Sequence, residues 1–234
     1  MTETAMGKDP LQARSPLRTP RAAAVAGIIF SVLSITALTL LRLSAPGNPR
    51  AAGVWLTDSG HRAAVAVGLN LVPFAGIAFL WFIGVLRDRI GEREDRFFST
   101  VFLGSGLLFV GMLFVGAAVA GGLVTSSASS ALPGSGTLAL GRNVTTSLLN
   151  VYAMRMAAVF TLTTVTIARR TRIVPRWLAV AGLACAVVLL VGTGITPWLE
   201  LVFPAWILAL SLDILSARRE HQPDPDAPIP SSGR

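Results

Sequence analysis

The stretch "FFSTVFLGSGLLFVGMLFVGAAVAGGLV", Phe97 to Val124, decides how the rest of the chain is read, because its 28 residues hold no ionisable group. A helix of that length covers about 42 Å at the standard rise, more than the roughly 30 Å of bilayer hydrocarbon. A helix buried in a soluble core has no reason to be apolar on every face for so long. The segment therefore predicts a tilted or projecting membrane span.

Working outward, the same pattern recurs. Ala22 to Leu41 and Ala63 to Leu86 are also free of ionisable residues. The whole chain is 53% hydrophobic and 14% charged, with a mean hydropathy of +0.65, against roughly 25% charged residues in soluble domains. The spacing predicts six spans, at about 21–43, 63–86, 97–124, 143–168, 177–191 and 198–215. The expected fold class is all-α, a polytopic six-helix transmembrane bundle, with the lipid bilayer as its principal partner. The first span is too long for a signal-peptide core, and "LRLSAPG" is a poor cleavage site, so it reads as a retained helix. Residues 1–20 and 218–234 are polar and proline-containing and read as disordered tails. The Ser- and Gly-rich 125–142 reads as a flexible loop.

The net charge of +8 does not indicate nucleic acid, because the basic residues flank the apolar runs instead of gathering on a soluble face. Their distribution sets orientation. With both termini inside, 15 basic residues fall on the cytoplasmic side against four outside: Arg42, Arg50, Arg62 and Arg142. Under the positive-inside rule this predicts a multi-pass protein of the cell (inner) membrane, N-in and C-in.

Arg155, inside "LNVYAMRMAAVF" (Leu149 to Phe160), falls within the fourth span. It lies about 20 Å from the cytoplasmic end, where a charge is costly without a partner or an escape. Glu200 at about 25 Å and Asn70 at about 24 Å share that layer, and Tyr152 is one turn from Arg155. These four residues form the candidate buried polar layer. Three readings fit: an Arg155–Glu200 pair that clips spans four and six, an arginine snorkelling to the outer headgroups, or an outward-opening pocket for a small polar solute. Pro73 and Pro204 interrupt spans two and six near the same layer, as broken helices do in transporter sites. At about 100° per residue, Tyr152, Thr163 and Thr166 fall on Arg155's side of its helix.

In span three, Gly104, Gly111, Ala118 and Gly122 keep near one face and predict a groove for helix packing, within the bundle or against a second copy. Ala179, Gly182, Cys185 and Ala186 offer a second small surface in span five. There is no phosphate loop, no H-E-x-x-H, no C-x-x-C and no nucleophile elbow. His61 and His221 stand apart, so the sequence predicts no catalytic residue, cofactor or metal.

"GIAFLWFIGVLRDRIGEREDRFFSTVFLGSGLLFV" (Gly76 to Val110), with the six-span layout and the later "VPRWL" (Val174 to Leu178), resembles uncharacterised integral membrane proteins of GC-rich Gram-positive bacteria. That resemblance implies the bundle and its location, and no activity. The expected role is a structural or accessory membrane component, alone, as a homo-oligomer or with another membrane protein. A small transporter or solute-binding protein using the outer polar layer is the alternative.

Overall fold

A computed structural model describes residues 20–44, 59–90, 96–128, 135–171, 174–192 and 197–216. The expected tails, apart from Pro20, lie outside the described residues. Among the described residues every regular element is helical. The elements are α1 (Pro20–Ser44), α2 (Ser59–Ile90), α3 (Arg96–Ala128), α4 (Ser135–Thr146), a π-helical segment (Ser147–Ala153), α5 (Met154–Thr171), α6 (Arg176–Val191), a 3-10 turn (Pro197–Leu201) and α7 (Val202–Ser216).

Among the described residues five helices are long and apolar enough to cross a membrane: Arg21–Ser44, Gly60–Arg87, Phe97–Ser126, Ala139–Arg169 and Trp198–Ser216. The fifth expected span, 177–191, corresponds to α6, whose 16 residues cover about 24 Å and fall short of the hydrocarbon thickness. Two boundaries differ from the sequence reading. The helix before Arg155 starts at Ser135, so the second half of the expected 125–142 loop is helical, and α4, the π segment and α5 run on as one rod. α2 passes through Pro73 unbroken, and Pro204 sits in the first turn of α7. A first-turn N–H has no intrahelical partner, so proline costs little there.

The six long rods close a ring. α1 packs on α2, α2 on α3, α3 on α5, α5 on α6, α6 on α7, and α7 returns to α1. Short connections favour this sequential arrangement. The centre is filled by phenylalanine: Phe30 from α1, Phe79 and Phe82 from α2, Phe102 and Phe109 from α3, Phe160 from α5 and Phe203 from α7 are all buried. Phe79 is the hub, with ring centroids 4.6 Å from Phe30, 5.2 Å from Phe109, 5.1 Å from Phe160 and 5.7 Å from Phe203. These are tilted and edge-on contacts within the favourable range for aromatic pairs.

Where helices approach most closely, small residues make room. A Cβ on Gly27 of α1 would collide with the Ser211 hydroxyl of α7. In α6 the face Ala179, Gly182, Cys185 and Ala186 is buried, and Gly182 lies under the Trp206 indole, whose Nε1–H donates to the Leu178 carbonyl at 3.3 Å. The groove expected on α3 takes a different position. Gly104, Gly111 and Gly122 have no neighbour within 4 Å of where a Cβ would stand, and Ala118 is exposed. The α3 glycines that do meet other helices are Gly106, against Ile83 and Phe160, and Gly116, against Leu149.

Candidate functional site

Polar atoms inside this bundle must find partners within it, since neither apolar neighbours nor lipid supply them. The threonines of α5 do so on their own helix. Thr161, Thr163, Thr164 and Thr166 donate to the carbonyls of Ala157, Val159, Phe160 and Leu162, at 2.7 to 2.8 Å. Ser31 and Ser105 likewise donate to Gly27 and Val101. These hydroxyls are satisfied and carry no site.

The charged contact lies at the end of the bundle where α1 finishes and α7 begins. Glu200 is 5% exposed, in the 3-10 turn that opens α7. Arg42 is in the last turn of α1. Its Nη2 donates to Glu200 Oε1 and, at 3.1 Å, to Oδ1 of Asn150 in the π segment. The local reasons are electrostatic. A carboxylate is favoured at a helix N-terminus and a guanidinium at a C-terminus, and α1 and α7 run antiparallel, so the two favourable ends coincide. The charge-assisted bond then joins them. The π segment's i→i+5 bonding widens the turn, and its residue Asn150 reaches the pair.

The cation that meets Glu200 is thus Arg42, and Arg155 takes another position. Arg155 and Tyr152 are exposed on the outer surface of their helix, as is Asn70, whose amide donates to the Ala66 carbonyl one turn back at 2.8 Å. Of the four residues expected in one layer, the structure places Glu200 alone in the charged contact. Sequence reasoning missed Arg42 and Asn150. Arg42 is a cation in the last helical turn at the depth of Glu200, and Asn150 is an amide two residues from Tyr152; those were the available signals.

Beside Glu200 lies a cavity of about 50 Å³. It follows α1 from Phe30 to Leu41, about 16 Å along the helix axis. α2, α3, the π segment, the start of α5, the 3-10 turn and α7 complete its walls. Leu38, Leu113, Leu149 and Phe203 are typical of the lining, and Glu200 is its one charged residue. A cavity of this chemistry stays dry and offers no row of hydrogen-bonding groups to a polar solute.

Among the described residues no group of three His, Cys, Asp or Glu could hold a metal ion. Comparison with known proteins gives no match to any protein-family model, to any curated protein or to any solved structure. The class is therefore defined by the fold itself: a helical chain with several apolar helices of membrane-crossing length.

Proposed function

We propose that the chain is a structural or accessory protein of the cell membrane that crosses the bilayer six times, α6 making a short fifth span, with both termini in the cytoplasm. The observation that carries this reading is the state of Glu200: buried, bonded to Arg42, and set beside a cavity whose walls are otherwise uncharged. Charges used to move a polar solute need an aqueous, polar surround. Here they are consumed in holding α1, the π segment and α7 together. Fifteen cytoplasmic basic residues against four outside support the orientation. The outward groove of Gly104, Gly111, Ala118 and Gly122 is the surface on which a second copy or another membrane protein would pack.

The test is mild-detergent purification of the full chain from its native membrane, with mass spectrometry of what accompanies it, alongside C-terminal GFP and alkaline phosphatase fusions. A bright GFP fusion, an inactive phosphatase fusion and a membrane protein co-purifying in fixed ratio are expected. An active phosphatase fusion overturns the orientation. Saturable uptake of a polar solute by proteoliposomes, abolished by Glu200→Gln, overturns the accessory role in favour of transport.

A further inference from the structure

Resting on the reading of the chain as a membrane protein that packs against another, we propose that the outward stripe around Arg155 is the contact for a different membrane protein, one that presents an aspartate or glutamate in the middle of an apolar helix. Arg155 stands 16 residues after Ala139 and 14 before Arg169, the ends of its membrane-length helix, or about 24 and 21 Å along the axis. That helix is the most buried of the five, and α5 is held between α3 and α6. Between Leu148 and Arg169 only Tyr152, Arg155, Leu162 and Arg169 are exposed. The arginine thus occupies a narrow outer stripe on a helix that buries most of its surface. Among the described residues no hydrogen bond or ion pair reaches it. The connections joined to α4, α5 and α6, residues 129–134, 172–173 and 193–196, contain no acidic residue.

A cation facing lipid in mid-span is costly, and charges inside a membrane are met by pairing. Snorkelling serves arginines near helix ends, and both ends are distant from Arg155. Its counter-charge must therefore come from another chain. A second copy does not supply one. The acids among the described residues are Asp88, Glu200 and Asp213, and Glu200 is buried against Arg42. Asp88 and Asp213 are two and three residues from the ends of α2 and α7. In the six-span arrangement those ends finish on the same side as the end of α5, so a copy in the same orientation brings neither acid to the level of Arg155. A carboxylate matches the planar fork of the guanidinium. Tyr152, 53% exposed, and the partly exposed Met156 add residue types that are enriched at protein interfaces.

The probe is a synthetic helix of about 20 leucines with one glutamate at its centre and a fluorophore at one end. It is reconstituted into liposomes with the full-length protein carrying a C-terminal fluorescent acceptor, and energy transfer over a range of peptide densities gives the association constant. Companion peptides carry leucine or lysine at the centre. The glutamate peptide is expected to associate about tenfold more strongly than the leucine peptide, and the lysine peptide no more strongly than leucine. Arg155→Leu should abolish the preference, and Arg155→Glu should transfer it to the lysine peptide. Arg169→Leu, which removes an exposed cation at the end of the same stripe, should leave it unchanged. Equal association of the glutamate and leucine peptides overturns the proposal, and is the result expected of an arginine satisfied by lipid headgroups. A preference that survives Arg155→Leu also overturns it. The peptide comparison on the unaltered protein needs no variant, so a substitution that fails to fold does not remove the test. Flotation of the protein with the liposomes and resistance to alkaline extraction report insertion separately. Insertion without a glutamate preference overturns this proposal alone, whereas a protein that does not insert overturns the membrane reading with it.

Discussion

Removing either partner of the Arg42–Glu200 pair should destabilise the bundle, but by unequal amounts. Arg42→Met keeps an apolar stem and deletes the guanidinium, which leaves Glu200, 5% exposed, with no counter-charge among the described residues. Stranding a buried charge in this way costs about 3–5 kcal/mol. Glu200→Met leaves Arg42, whose side chain is 29% exposed and still donates to Asn150. The loss is then closer to that of one charged hydrogen bond, about 1.5–3 kcal/mol. The double variant removes both charges from an apolar surround and should lie within about 1 kcal/mol of the unaltered protein, because apolar replacement of a buried pair is often neutral. The cycle should return a coupling of at least about 2 kcal/mol. Reversible unfolding in mixed micelles over a series of SDS mole fractions, followed by circular dichroism, measures all four stabilities. A double variant as unstable as the sum of the singles would refute the reasoning, and so would Arg42→Met proving no more costly than Glu200→Met.

Arg155 provides the contrast: in the same assay Arg155→Met and Glu200→Met should be additive within about 0.5 kcal/mol, since the two residues share no contact; a larger coupling would return Arg155 to the site. At the α1–α7 crossing, Gly27→Ala should cost about 1–3 kcal/mol through overpacking, because its Cβ would collide with the Ser211 hydroxyl. Ser211→Ala should restore part of that loss, and alone should be neutral or stabilising, since its buried hydroxyl has no hydrogen-bond partner among the described residues. On α3, Gly111→Ala meets nothing within 4 Å and should be neutral or stabilise by up to about 1 kcal/mol; a marked loss in the purified, detergent-solubilised protein would show that another chain packs there.

The helices were legible in the sequence because composition alone dictates them: an uncharged run of 28 residues such as 97–124 has few alternatives to a membrane-length helix. The site was legible in part. Glu200 stands out as an acid at the start of an apolar helix, and the structure finds it in the charged contact. The partner does not follow, for two physical reasons. Arg42 falls in the last turn of the expected first span, 21–43, and counts there only as an outer basic residue that sets orientation; which helix ends meet is a tertiary fact that spacing along one helix does not give. The other reason is angular. Counting 100° per residue assumes i→i+4 bonding, and Tyr152 lies in a segment bonded i→i+5. Tyr152 and Arg155 still share one side, but it faces outward and away from Glu200. Thr163 is buried while Arg155 and Tyr152 are exposed, so the expected common face is divided.

The ring of rods with phenylalanine at its centre has a consequence for permeability. Phe30, Phe79, Phe109, Phe160 and Phe203 come from five different helices and meet near the axis. A file of water crossing that layer would find aromatic faces in place of hydrogen-bond partners, and hydrophobic constrictions of this kind dewet. In a bilayer, that layer would therefore give protons and small ions no hydrated path through the bundle.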